Sequence, residues 1–207
     1  VAIVEREEAR EVAARLLDGD DTRVIGQRVE RLETELHAGA GRVVVEDDGQ
    51  AATVGARHDV GCVIHTHSAA GMAVSALQCG LLPLTQNAMF FGEIGYHDYE
   101  GPAVDLDEQK RLIHDLGDRA ALILRNHGLL TAGKTVCDAF VTMHWLERAC
   151  QAQLMAQACN TPLNPVPASV VQVTNDRYKP GQRRKITELE WPALLRMLDR
   201  RDSGFRD

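Results

Sequence analysis

Residues 120–131 read A-A-L-I-L-R-N-H-G-L-L-T: two apolar runs, Ala120–Leu124 and Leu129–Thr131, on either side of Arg125-Asn126-His127-Gly128. Short runs rich in branched residues read as buried strands. A connection this brief cannot hold the helix that a parallel crossover needs, so neighbouring strands here pair antiparallel. A further buried strand is expected at Val60–His65 (V-G-C-V-I-H), with shorter candidates at Arg42–Val45, Leu81–Leu84 and Ala88–Phe91.

Helical patterns alternate with these runs. Val4–Leu17 carries acidic residues first and then Val12, Ala13, Leu16 and Leu17 at helical spacing, and Val29–His37 could follow as a second helix. Ser68–Gln78 sets Ala69, Met72, Ala73, Ala76 and Leu77 on one face, with Ser68 as N-cap and Gly80 as stop. Asp105 and Glu108 resemble a capping box opening a helix that ends at Gly117. Thr135–Cys159 is the longest helical segment. The Pro-rich stretch Thr161–Pro167 ends it, and Trp191, Leu194, Leu195 and Leu198 stripe a last helix. The expected class is α/β, with helices packed against a mixed or antiparallel sheet.

At 207 residues, with 44% hydrophobic and 26% charged, the chain suits a single globular domain, and with 4% aromatics Ala, Val and Leu must fill its core. A net charge of −7 disfavours a nucleic-acid surface, and the basic residues of the tail lack interleaved aromatics for base stacking. No apolar stretch is long enough to span a membrane, and no basic start precedes an apolar block, so a cytoplasmic protein is expected. Five cysteines without a C-x-x-C pair fit reduced thiols, most of them core residues.

The sharpest chemical signal is H-T-H-S at the end of the Val60–His65 strand. Side chains at i and i+2 of a strand share a face, so the imidazoles of His65 and His67 converge. A catalytic metal site wants a third protein ligand, another His or a carboxylate. His127 is the best candidate, since it also follows an apolar strand and precedes a glycine that permits close approach.

Taken together, V-I-H-T-H-S, the Ala-rich helix after it, G-L-L-P, and L-I-L-R-N-H-G-L-L-T-A-G about 60 residues on resemble the class II aldolase/adducin family. The likeness runs from about Arg57 to Gln157. G-Y-H-D-Y-E-G (Gly95–Gly101) and the terminal W-P-A-L-L-R-M-L-D-R resemble an adducin-like bacterial branch. The resemblance implies a three-layer α/β/α fold around a mainly antiparallel central sheet. It also implies a divalent metal, usually zinc, held by His65, His67 and His127 for Lewis-acid chemistry on a substrate carbonyl or hydroxyl, and assembly as a homotetramer. The function it points to is a metal-dependent lyase cleaving a C–C bond next to a carbonyl, by retro-aldol reaction or decarboxylation of a small hydroxy-carbonyl or carboxylate substrate. The alternative is a non-catalytic, adducin-like interaction module.

The departures matter as well. The family's G-N-x-S strand and phosphate-holding serines have no counterpart before His65, nor has the Tyr that several aldolases place after the L-P step, near which Gln86 and Asn87 stand. Glu33 and His37 imitate the E-x-x-x-H of a family helix, but their interval to His65 is longer. Residues 1–207 therefore read as one family-like domain, with 1–55 divergent or incomplete and 161–207 a C-terminal helical tail. His97, Asp98 and Tyr99 form a polar tip that could line a cleft, which makes His97 a substrate-binding candidate, or could simply face solvent. Arg125 could neutralise an anionic substrate beside His127 or pair with an acidic neighbour. His144 and Glu147 suggest a ligand pair or a solvated helix face, and His58 and His114 read as surface residues.

Overall fold

Strands rich in Val, Ile and Leu build the centre of the molecule. The computed structural model describes residues 2–4, 57–101, 106–178 and 189–201. Within them lie β1 (Ala2–Val4), β2 (Cys62–Thr66), β3 (Gly95–His97), β4 (Ala121–Leu124) and β5 (Gly128–Gly133). They form one sheet in the order β1-β2-β5-β4-β3. The pairs β1–β2, β2–β5 and β4–β5 are antiparallel, and only β3–β4 is parallel. The sheet is thus mainly antiparallel, as the short connections require.

Side-chain parity makes the layers. Cys62, Ile64, Ala121, Ile123 and Leu129 join one buried cluster with residues of α1 (Ala69–Ser75) and α4 (Val136–Ala158). Val63, Leu122, Leu124 and Leu130, which alternate with them, join a second cluster with Leu112 and Leu116 of α3 (Leu106–Leu116). Both sheet faces are covered, which explains why every residue of β2 and β4 is buried. The result is a three-layer α/β/α arrangement. Its helix starts are the expected ones: Ser68 Oγ accepts from Gly71 N at 3.2 Å and Thr135 Oγ1 from Asp138 N at 3.1 Å.

Several expectations are corrected. Leu81–Leu84 and Ala88–Phe91 are not strands; α2 (Gln86–Met89) is a single turn capped by Thr85. The apolar run at 81–84 has its backbone partners elsewhere. Gln153, 1% exposed inside α4, accepts from Leu82 N at 2.7 Å and donates to the Gly80 carbonyl at 2.8 Å, while Tyr96 Oη accepts from Leu81 N at 3.0 Å. Val4 belongs to a strand paired with Val63 rather than to a helix. The remainder of Val4–Leu17, with Val29–His37, Arg42–Val45, Glu33 and Asp105, lies outside the described residues. Gly95–His97, read as part of a loop, is a strand whose His97 registers with Leu124.

The tail folds back on its own domain. Trp191 and Leu194 of α6 (Glu190–Arg201) pack on the core, with the Trp191 ring 5.6 Å from Phe140, so the apolar stripe does not depend on a partner subunit for its cover there. An unforeseen helix, α5 (Ala168–Asp176), docks on α2 through Asn175 Nδ2 to the Phe90 carbonyl at 3.0 Å. Cys62, Cys137 and Cys150 are buried, and burial pushes the Cys137 and Cys150 thiols up to about 12; Cys79 and Cys159 are exposed. Among the described residues, no helix is long and apolar enough to cross a membrane.

Candidate metal centre

Two strand ends and one tight turn bring the three predicted histidines together. His65 sits in β2 opposite Leu130 of β5, and His67 lies just beyond the end of β2. His127 occupies the turn between β4 and β5, which closes on the Leu124–Gly128 pair. Asn126 turns the chain there at φ 56°, a left-handed conformation that Asn tolerates well. The Nε2 atoms converge: His65 to His67 at 2.7 Å and His67 to His127 at 2.8 Å. Among the described residues, this is the one group of at least three His, Cys, Asp or Glu side chains close enough to share an ion.

The second ring nitrogen of His65 sets its tautomer. Nδ1 lies 2.8 Å from the Leu129 carbonyl oxygen, and a carbonyl can only accept, so Nδ1 carries the proton and Nε2 keeps its lone pair. This is the arrangement that orients metal-ligating imidazoles. Burial of the ring, reinforced by the neighbouring His67 and His127, pushes His65 down to about 3. Three imidazole nitrogens converging on one point, one ring buried and one exposed, fit a divalent cation of the zinc type. Gly128 is part of the fit: a Cβ there would overlap the Thr66 carbonyl oxygen and come within 3.2 Å of the His67 ring and 3.3 Å of the His65 ring.

The lowered His65 predicts a pH effect. In the unfolded chain this ring takes up a proton below its ordinary 6.5, whereas the folded ring resists until about 3. Its contribution to stability is therefore complete above pH 6.5 and lost progressively as pH falls towards 3, because the unfolded state binds more protons in that window. Denaturant midpoints of the metal-free protein should drop between pH 7 and pH 4, and His65→Gln should flatten that slope. A midpoint equally pH-dependent in His65→Gln would refute the assignment.

The other candidates are placed as follows. His97 is no surface tip: it is 4% exposed, with Nδ1 2.8 Å from Asp115 Oδ2. Hydrogen bonds from His97 and His114 outweigh the upward push of partial burial and hold the Asp115 carboxyl below its usual range. Among the described residues Arg125 makes no acidic pair; it donates to the Leu77 carbonyl at 3.0 Å and stacks its guanidinium 4.3 Å from the Tyr96 ring centre. His97 and Arg125 both line a crevice bounded by His127, Tyr99 and Glu108. His144 is exposed, whereas Glu147 accepts a short hydrogen bond from Ser68, next to the trio, and one from Gln151 at 2.9 Å. His58 and His114 are exposed, as expected. Sequence reasoning did not single out Asp115 or foresee that Glu108 is buried near His97. Their i, i+7 spacing around Leu112 puts both on one face of α3, and that was the available signal.

A family model for the class II aldolase and adducin N-terminal domain matches residues 12–154. A Pseudomonas aeruginosa protein, provisionally named an aldolase class 2 protein, is 46% identical over 72% of this chain and 60% of its own length. Alpha-adducin of Rattus norvegicus is 38% identical over 73% of this chain and 22% of its own. The solved structure of an aldolase II superfamily protein from Pseudomonas syringae superposes with a TM-score of 0.73 at 42% identity, covering 77% of this chain and 64% of that one. The chain thus spans about 60% of the length of the bacterial relatives it matches.

Proposed function

The chain belongs to the class II aldolase and adducin family, and we propose that it is a metal-dependent lyase cleaving a C–C bond next to a carbonyl, by retro-aldol reaction or decarboxylation. The observation that carries this reading is the convergence of three imidazole nitrogens at the open end of the sheet. In it, His65, His67 and His127 hold a divalent cation, zinc before others. A bound cation of this kind supplies Lewis acidity to a substrate carbonyl or hydroxyl oxygen.

The chain's own residues do the rest. The Leu129 carbonyl keeps the His65 lone pair on Nε2. Buried strands hold His65 and the start of the His127 turn rigid while His67 stays accessible. Arg125 and His97, on the adjoining crevice, face a small hydroxy-carbonyl or carboxylate substrate. We extend the proposal to one cytoplasmic, family-like domain over 1–207 that assembles as a homotetramer. A second reading, an interaction module without chemistry, draws on the likeness to alpha-adducin. It gives no reason for three imidazole nitrogens to converge on one point.

Metal removal tests the proposal. The protein as purified should carry about one ion per chain, and a chelator should remove both the ion and any lyase activity. Cooperative thermal unfolding should persist, because β2 and β4 are buried by apolar residues in two clusters that need no ligand. Purified protein without affinity for zinc would favour the interaction module. Loss of cooperative unfolding on chelation would make the ion structural and remove the main support for catalysis.

A further inference from the structure

Where α3 crosses β3, a buried imidazole stands between two carboxylates. The side chains of His97 and Glu108 are 5% and 9% exposed. Nδ1 of His97 faces Asp115 Oδ2 at 2.8 Å, and since a carboxylate only accepts, Nδ1 carries a proton. The opposite nitrogen, Nε2, is buried without a hydrogen-bond partner among the described residues. Glu108 Oε1 lies 3.8 Å from it, beyond hydrogen-bond reach. Both groups line the crevice that opens beside His127 and Arg125. A buried polar atom without a partner is costly and calls for an explanation.

We propose that this crevice is a hydroxyl-binding subsite, in which Nε2 of His97 and the Glu108 carboxyl together take one hydroxyl group of the ligand. A single oxygen about 2.8 Å from each would span the gap. An oxygen placed between Nε2 and Oε1 has to bond to both, which needs a proton on one of the two groups. One end then donates and the other accepts, and an O–H is the group that does both at once. A ligand carboxylate would meet Glu108 with like charge, and an ammonium would offer no lone pair. The ligand class that follows carries a hydroxyl next to the oxygens that reach His127. This last step rests on the metal reading; the hydroxyl subsite itself does not.

Glycolate and acetate, which differ by one hydroxyl, are the probes. Full-length protein with ¹⁵N-labelled histidine is titrated with each, metal-free and zinc-loaded, following the His97 Nε2 resonance. Glycolate should move that resonance and bind about tenfold tighter than acetate, and Glu108→Leu should erase the difference while zinc content stays unchanged. Equal binding of the two acids by the unmodified protein, or a silent Nε2 in the zinc-loaded form, overturns the subsite. A glycolate preference at His97 in a protein that takes up no zinc would uphold the subsite and defeat the metal reading instead.

Discussion

Replacing His67 by Ala should lower zinc affinity by at least about 100-fold while the melting temperature of the metal-free protein stays nearly unchanged. His67 is the member of the trio whose Nε2 lies against both others, at 2.7 Å from His65 and 2.8 Å from His127. Without it, two nitrogens remain, fewer than the three protein ligands of a catalytic zinc site. The side chain is exposed and lies past the end of β2, so its removal leaves no cavity in either core cluster. His65→Ala would be a poorer test, because His65 is buried and its Nδ1 satisfies the Leu129 carbonyl. Competition with a chromogenic chelator gives the affinity, and circular dichroism gives the melt. Zinc binding as tight in His67→Ala as in the unaltered chain would remove His67 from the site.

The trio was legible because its logic is local. Parity along β2 puts His65 and His67 on one side, and the hairpin connection returns His127 to the same sheet end. What escaped was set by contacts distant in sequence. The run at 81–84 has strand-like residues, yet its amides are taken by Tyr96 and by Gln153, the latter 71 residues away. β3 is only Gly-Tyr-His, with no apolar run to announce it, and its parallel pairing with β4 comes from packing by α3. Glu108, three residues after Asp105, was read from its place in the first turn, which does not say whether the side chain is buried. Burial turned it towards His97. The stripe around Trp191 announced a need for cover, and amphipathicity does not say whose surface provides it; here Phe140 of the same chain does.

Gly128→Ala should damage fold and site together, although it alters none of the three histidines. A Cβ at this position would overlap the Thr66 carbonyl oxygen, an atom of the backbone of β2 that cannot swing aside as a side chain would. Thr66 pairs with Leu129 across the β2–β5 ladder, so relief requires the two central strands to part at the end that carries the trio. Overpacking between core strands costs about 3 kcal/mol, which for a chain of this size lowers the melting temperature by roughly 6–12 °C. The same displacement moves the His65 and His67 rings, whose edges would lie only 3.3 and 3.2 Å from the new methyl group, away from His127. Zinc affinity should therefore fall by about tenfold or more, in contrast to distant destabilising substitutions in the core, which lower the melt alone. Differential scanning calorimetry of the metal-free protein, paired with zinc titration at a temperature where the variant is folded, separates the two losses. A variant that melts like the unaltered chain would show that β2 and β5 have room at this end. One that melts lower yet binds zinc unchanged would show that the three nitrogens do not depend on the spacing of the strands that carry them.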